Sequence, residues 1–339
     1  MGLSIKDIIK KEEISLEDLN GKIVAVDAFN VLYQFLTTIR QYDGKPLMDS
    51  KGRITSHLSG LFYRTTNMMS RGIKPIFVFD GRAPELKQKT HEQRAAVKQE
   101  AKEKFEMAES EEEKAKYASR ISYLTDEMIE ESKELIEALG LPVVQAPSEG
   151  EAQAAFIVSE GDAFAVASQD YDSLLFGAPR LIQNLTLAKT RKLPSGLSVA
   201  INPQMIELKK VLKELGLTRE QLICLGILVG TDYNPKGIHG IGQKTALKIV
   251  KEHKKPEKIF GAMQKEHEFD FDWKEIFNLF MKPSVTEDYE IEFKAIDKKK
   301  LMKILVEKHE FGAERIDAAI NRAIEMKEAK KQKSLKKFF

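Results

Sequence analysis

Three apolar stretches of the chain each end in an aspartate: KIVAVD (22–27), KPIFVFD (74–80) and AFAVASQD (163–170). Short apolar runs with polar flanks are typical of buried strands, and helical stretches separate them along the chain. This alternation predicts an α/β fold with a central, mostly parallel sheet and helices on both faces. Sites in such folds form outside the carboxyl ends of the strands, so we expect Asp27, Asp80 and Asp170 at the functional edge.

Residues 82–138 have a different pattern, rich in Lys, Glu, Arg and Ala, with few large apolar residues before Ile121. A helical segment this polar cannot be fully packed against a sheet. We expect a helical arch over the active edge, lined with basic groups, with a solvated helical hairpin as the alternative. Gly140 and Pro142 then close the preceding helix as its cap and its stop.

A glycine-rich segment, GIHGIGQKTALKIVKEH (237–253), follows Asp232. Gly240 and Gly242 permit a tight turn just before a helix that begins near Gln243. Backbone N–H groups at the start of that helix can hold a DNA phosphate without reading the base sequence. No apolar strand precedes the glycines, which disfavours a nucleotide-binding Rossmann loop. The pattern therefore predicts a helix-hairpin-helix DNA-binding element.

Composition excludes several classes of protein. The single cysteine, Cys224, rules out an intrachain disulfide and fits a reducing interior. No apolar run is long enough to span a bilayer, and the N-terminus lacks a signal-peptide core. Lys6 stands where a myristoylation motif needs Ser or Thr. We expect an intracellular, cytoplasmic protein without membrane contact. The net charge of +2 does not by itself indicate a class of binding partner, but the tail KEAKKQKSLKK is densely basic.

Four further carboxylates extend the acidic set: Glu149, Glu151, Asp172 and Asp232. Glu151 has an alternative explanation as a capping box with Ser148, and aspartates after a strand are common in turns. Clustered without a cation, these groups would repel one another. Oxygen ligands suit Mg²⁺, with Mn²⁺ as a substitute. Two such ions, about 3.5–4 Å apart, activate a water and stabilise the leaving oxygen of a phosphodiester.

Ordered motifs along almost the whole chain resemble those of the XPG-type 5′-nucleases, in particular archaeal-type flap endonucleases. They are MGLSIKDII, VDAFNVLYQFL, FVFDGRAPELK, PSEGEAQAA, SQDYDSLLFG, LVGTDYNPKGIHGIGQKTA and QKSLKKFF. The resemblance implies a structure-specific nuclease that removes 5′ flaps from branched DNA during lagging-strand maturation and repair. It also implies that two Mg²⁺ ions are held by seven carboxylates: Asp27, Asp80, Glu149, Glu151, Asp170, Asp172 and Asp232.

The resemblance assigns further roles. Lys87 and Arg94 match arch positions that contact the scissile phosphate; seven apart, they share a helical face, although two solvated charges would also fit. Tyr33 matches an aromatic that stacks on a base, with a core position in its helix as the rival. The predicted DNA-binding set is Gly2, Tyr33, Gly240, Gly242 and Lys244. The arch begins with Arg82-Ala83-Pro84 instead of the commoner Lys-Pro-Pro.

Residue spacing in the tail fits a sliding-clamp (PCNA) binding box. Its members are Gln332, Leu335, Phe338 and Phe339. Two exposed phenylalanines in a Lys-rich tail have no folded core to enter. The alternative is a frayed chain end whose aromatic residues have no function, which is common at termini. One turn of helix formed on binding would place Leu335 and Phe338 on one face. We expect this clamp and flapped DNA as partners of a monomer.

The regions expected from the motifs follow in order. They are an N-terminal nuclease region (1–98), a helical arch or linker (99–138), an internal nuclease region with the hairpin (139–258), a C-terminal helical region (259–326) and the tail with its clamp box (327–339).

Two other functions remain open at this point. A metal-dependent phosphatase or RNA-directed nuclease would use the carboxylates, but not the hairpin, the arch or the tail. A DNA-bound scaffold recruited by its tail would have no use for a costly anionic cluster.

Overall fold

The structure is a computed structural model that describes residues 3, 5–41, 44–87, 100, 104, 107, 124–186, 190–192 and 198–335, with backbone alone at 190–192, 198–200 and 326–335. Its strands are β1 Glu12–Glu13, β2 Ile23–Asp27, β3 Lys74–Phe79, β4 Val143–Gln145, β5 Ala165–Ala167, β6 Arg180–Gln183, β7 Thr190–Lys192, β8 Ser198–Ala200 and β9 Gln204–Glu207. Its helices are α1 Ala28–Thr38, α2 Ser56–Ser70, α3 Asp126–Ala138, α4 Gly150–Glu160, α5 Asp172–Leu175, α6 Leu208–Leu215, α7 Arg219–Val229, α8 Gln243–His253, α9 Pro256–Glu266, α10 Trp273–Met281, α11 Lys298–Met302, a π-helix Lys303–Lys308 and α12 Ala313–Leu335.

Within the described residues, seven strands form one sheet in the order β1-β9-β6-β5-β2-β3-β4, and β7 pairs with β8. β2 and β3 are parallel, with Asp27 opposite Val78, and β5 and β6 are also parallel. β9 runs antiparallel to both β6 and β1. The predicted α/β fold with a mostly parallel sheet is confirmed, and each of the three apolar runs contains a strand.

One compact unit comprises residues 16–79, 94–144 and 288–339. It contains β2 and β3, whose interior residues are almost fully buried, as expected of parallel strands. Helix α2 packs against α1, α3 and α12. Helix α3 falls in the range predicted for the arch, yet its Leu135 and Ile136 are completely buried. Most other residues of the range 99–138 lie outside the described residues.

A buried polar cluster joins three segments of this unit. His309 lies between two carboxylates, with Nδ1 3.2 Å from Asp49 Oδ2 and Nε2 3.1 Å from Glu131 Oε1. The guanidinium of Arg53 lies 2.7 Å from Asp49, and the ammonium of Lys308 pairs with Glu131. Although burial opposes the shift, hydrogen bonds from Arg53 and His309 lower the pKa of Asp49 from its usual 3.8 to about 2.

This depressed pKa predicts loss of stability in acid. A carboxylate with a lower pKa in the folded than in the unfolded state stabilises the fold above pH 3.8, and the contribution disappears as the pH falls toward about 2. We expect Asp49→Asn to lower the thermal midpoint at neutral pH and to have a flatter profile between these pH values. Glu266→Gln, which removes an exposed carboxylate at the end of α9, is the control. Parallel melting profiles for the wild type and Asp49→Asn would contradict this.

The second compact unit comprises residues 1–15, 80–93 and 145–287. Its helix α7 packs against α8, α9, α10 and α5. The 3-10 turn Glu85–Lys87 lies in this unit, as does the segment that joins α7 to α8. This unit contains most of the residues predicted to do chemistry.

Helices α9 to α12 lie in or next to the range predicted for the C-terminal helical region, while residues 283–297 form neither helix nor strand. Helix α12 runs on through Leu335, into the range that the sequence assigns to a basic tail. Phe338 and Phe339 lie outside the described residues. No helix in the described part of the chain combines the length and apolar character required to cross a bilayer.

Candidate active site

Asp80 follows β3 directly, and its carboxylate lies at the N-terminus of α4. Asp80 Oδ1 accepts a hydrogen bond of 2.7 Å from the backbone N–H of Gly150, the first residue of that helix. The first N–H groups of a helix have no partner inside it, and the helix dipole favours a negative charge there. Glu149 and Glu151 flank Gly150 in sequence, so the start of α4 brings three predicted ligands into one region.

Gly81 allows this approach. Its N–H donates a hydrogen bond of 2.6 Å to the carbonyl of Ser148. A Cβ atom at Gly81 would lie only 2.2 Å from the carbonyl oxygen of Ala146, so a larger residue would push the two segments apart. A glycine at this position therefore keeps the segment after β3 against the loop that leads into α4.

Lys87 places a positive charge among the carboxylates. Its ammonium pairs with Glu149 and lies 3.6 Å from Asp232 Oδ2, and it also lies 5.5 Å from the centre of the Tyr233 ring. Burial alone would lower the pKa of Lys87, but Glu149 and Asp232 raise it above its usual value. Burial raises the pKa of Glu149 and outweighs the opposing effect of Lys87. Lys87 is therefore a fixed positive charge of the site, and the alternative of a solvated charge is wrong for Lys87.

Glu151 is held by two serines and not by a helix cap. The capping-box alternative is wrong, because Glu149 is the N-cap of α4 and no side chain caps that helix. Glu151 Oε1 instead accepts hydrogen bonds from the hydroxyls of Ser168, at 2.9 Å, and Ser173, at 3.3 Å. Both serines are buried and belong to the segment that carries Asp170 and Asp172.

Asp172 is the most deeply desolvated of these carboxylates. It begins α5, and its Oδ1 is buried without a hydrogen-bond partner among the described residues. Burial, and then the negative charges of Asp232 and Asp170, raise its pKa well above the usual aspartate value. A cation bound here would remove that penalty.

A buried turn after α7 positions Asp232. Asn234 Oδ1 accepts hydrogen bonds from the N–H of Thr231 at 3.1 Å and from its hydroxyl at 2.7 Å. Asn234 Nδ2 donates to the carbonyl of Ile227 at 2.7 Å. Thr231 and Asn234 were not among the predicted site residues, although an Asn two residues after an Asp in TDYN is a turn signal.

The donor set fits a hard divalent cation. Within the described residues, no group of three or more His, Cys, Asp or Glu side chains is already arranged to hold an ion. However, the converging acidic groups are all carboxylates, and one oxygen of Asp172 is buried with no hydrogen-bond partner in the part of the chain that the structure describes. Oxygen donors of this kind suit Mg²⁺.

Asp27 belongs to the other compact unit. It is buried at the end of β2 and caps α1, because Oδ1 accepts a hydrogen bond of 3.0 Å from the N–H of Asn30. Tyr33 on α1 is 38% exposed, whereas its neighbours Leu32 and Phe35 are buried, so the core alternative for Tyr33 is wrong. Gly2 and Arg94 lie outside the described residues.

The predicted hairpin has the expected backbone. Gly240 has a positive φ of +81°, and Gly242 is the N-cap of α8, which begins at Gln243 without a side-chain cap. Within the described residues, a Cβ at either glycine would meet nothing within 4 Å. Lys244 is exposed in the first turn of α8. The start of the helix is thus open to an anionic ligand.

Comparison with known proteins gives a consistent result. Residues 1–101 match the XPG N-terminal domain and residues 140–232 match the XPG I-region. Flap endonuclease 1 of Hyperthermus butylicus is 56% identical over 329 residues, or 95% of this chain and 94% of that protein. Flap endonuclease 1 of Pyrococcus furiosus is 51% identical over 100% of this chain and 99% of that protein. The chain belongs to the flap endonuclease family.

The solved structure of flap endonuclease-1 from Methanococcus jannaschii is also similar to the structure of this chain. It is 42% identical, has a TM-score of 0.77 and covers 97% of this chain and 100% of its own. The resemblance found in the sequence is therefore confirmed, as is the expected structure-specific flap nuclease. The two matched XPG segments together contain all seven carboxylates predicted as ligands, whose individual roles stay predictions.

Proposed function

We propose that this chain hydrolyses phosphodiesters at the base of 5′ flaps in branched DNA, with 5′-3′ exonuclease activity, in Okazaki fragment maturation and repair. The observation that carries the proposal is the Lys87 ammonium held by Glu149 and Asp232. It occurs in a chain that is over half identical to archaeal flap endonucleases. Such a cluster of opposite charges, largely shielded from water, suits the stabilisation of a reacting phosphate.

The proposed cofactor is Mg²⁺, two ions per site, with Mn²⁺ as a substitute. When bound, the metal would activate a water and stabilise the leaving oxygen. The residues that would hold it are Asp27, Asp80, Glu149, Glu151, Asp170, Asp172 and Asp232. The buried oxygen of Asp172, which has no hydrogen-bond partner among the described residues, supports this set.

Positively charged groups would act directly on the substrate. Lys87 would contact the scissile phosphate and stabilise the negative charge that develops on its oxygens, with Arg94 as a second contact. Glu149 and Asp232 orient the Lys87 ammonium. Gly2, Tyr33, Gly240, Gly242 and Lys244 would bind the DNA.

Rates on different substrates test this function. We expect cleavage of flapped DNA to be much faster than cleavage of an RNA hairpin or a phosphomonoester. A preference for either of those two would favour the alternative phosphatase or RNA nuclease. DNA binding without cleavage in Mg²⁺ would favour the scaffold.

The hairpin predicts a specific loss of affinity. Gly242 has an ordinary φ of −87° and open space around its Cβ position, so Gly242→Val is expected to fold. A valine there would obstruct a phosphate at the start of α8 and weaken duplex binding about tenfold, as expected for the loss of one charge-assisted hydrogen bond. Fluorescence anisotropy measures it, with Gly261→Val on α9 as the control. Unchanged affinity in Gly242→Val would remove the hairpin from the DNA-binding surface.

The C-terminal tail predicts binding to a sliding clamp that can be lost without loss of cleavage. Deletion of residues 332–339, or Phe338→Ala with Phe339→Ala, should abolish binding to the sliding clamp and stimulation by it. Apolar burial of two aromatic side chains would account for most of that affinity. Cleavage of free flap DNA should barely change. Calorimetry in which the truncated chain binds the clamp with unaltered affinity would exclude the box.

A further inference from the structure

Ser168 joins two segments that carry predicted metal ligands. It follows β5 directly and is 3% exposed. Its hydroxyl donates to Glu151 Oε1 at 2.9 Å, and its oxygen accepts the backbone N–H of Asp170 at 3.2 Å. One hydroxyl therefore sets the position of a carboxylate on α4 relative to the loop that begins at Asp170.

The ordinary role of a serine after a strand explains only half of this. A side-chain oxygen that accepts the N–H two residues later is a common turn, and the bond to Asp170 is of that kind. Such a turn does not require the hydroxyl proton to point at a carboxylate 17 residues away in sequence. Ser173 donates to the same oxygen, Glu151 Oε1, from α5 at 3.3 Å. Two buried hydroxyls thus converge on one oxygen.

The loop itself is anchored from its other side. The carbonyl of Gln169 accepts a hydrogen bond of 2.6 Å from Gln183 on β6, and Gln183 Oε1 accepts one of 2.7 Å from Lys11. Because the loop is fixed at Gln169, the Ser168 bonds transmit a rigid position to Glu151. Groups that hydrogen-bond to ligating carboxylates orient them, and their loss typically costs 10- to 100-fold in metal affinity.

We propose that Ser168, assisted by Ser173, is a positioning residue that fixes the Glu151 carboxylate relative to Asp170 for divalent cation binding. The inference rests on the proposed metal-dependent function. It requires no contact between Ser168 and the substrate.

The test is Mn²⁺ binding to the full chain without DNA, measured by calorimetry. Ser168→Ala is expected to lower the affinity at least about tenfold, and Ser168→Thr, which keeps the hydroxyl, to restore most of it. Ser132→Ala is the matched control. Ser132 is buried like Ser168, but its hydroxyl donates within α3 to the carbonyl of Met128, so the Mn²⁺ affinity should not change.

A double-mutant cycle separates positioning from general destabilisation. In a Glu151→Gln background, Ser168→Ala should cause little further loss of Mn²⁺ affinity, because the carboxylate on which it acts is already gone. Equal losses in both backgrounds, or a folded Ser168→Ala variant within twofold of wild-type affinity, would overturn the proposal.

Two further outcomes are informative. If Ser168→Ala does not fold, Ser173→Ala carries the test: a loss of about threefold is expected from its longer bond, and unchanged affinity overturns the proposal. A wild-type chain that cleaves flaps without binding Mn²⁺ or Mg²⁺ would refute the proposed metal site. If instead the wild-type chain binds Mn²⁺ and Ser168→Ala binds it with the same affinity, only the positioning role of Ser168 is refuted.

Discussion

Asp170→Ala is expected to abolish flap cleavage, with a loss of about a thousandfold or more. A bound metal supplies several kcal/mol of transition-state stabilisation, and each 1.36 kcal/mol is a factor of ten in rate. DNA affinity should stay the same or increase, since removing a carboxylate lessens repulsion of the phosphates. Single-turnover cleavage in Mg²⁺ and anisotropy in its absence measure the two effects. Asp80→Ala should behave in the same way.

The control is the exposed Asp162→Ala, which should cleave at the wild-type rate. If Asp170→Ala kept near-wild-type turnover in Mg²⁺, the assignment of two metal ions to these carboxylates would be wrong.

Lys87→Ala is expected to lower the single-turnover rate about 100- to 1,000-fold, as removal of one charge-stabilising group from an active site does. Affinity for flap DNA should fall far less, because the proposed role of Lys87 is confined to the reacting phosphate. The exposed Lys213→Ala, at the end of α6, is the matched control for a lost positive charge. Equal losses of affinity and rate in Lys87→Ala would make Lys87 a general backbone contact. In that case the salt dependence of binding should weaken as well.

Strands and their ends could be predicted from the sequence, because burial on both faces produces unbroken apolar runs such as VAV and IFVF. The positions of the aspartates at the strand ends could be predicted as well, because the sequence shows where each apolar run stops. The hairpin was also predictable, because Gly240 with its positive φ and Gly242 before Gln243 mark a turn and a helix start. Sequence pattern is strongest where a single local requirement fixes the residue type.

Interactions between distant segments could not be predicted in the same way. Ser148 and Glu151 have the spacing of a capping box. In the structure, however, the hydroxyls of Ser168 and Ser173 donate hydrogen bonds to the Glu151 carboxylate. The bond between Asp80 and Gly150 spans 70 residues, and the Asp49–His309 contact spans 260. The short antiparallel strand β1, which pairs Glu12 with Met205, has no alternating pattern to reveal it. Tertiary contacts decide these features, and single-sequence periodicity carries no signal for them.

Cleavage of a labelled double-flap DNA, with and without Mg²⁺, tests the central claim most directly. We predict a single major cut at the base of the 5′ flap in Mg²⁺, no cut after chelation, and none by Asp170→Ala in either condition. Cleavage that persists after exhaustive chelation, or that ignores the flap junction, would contradict a metal-dependent flap endonuclease built on these carboxylates.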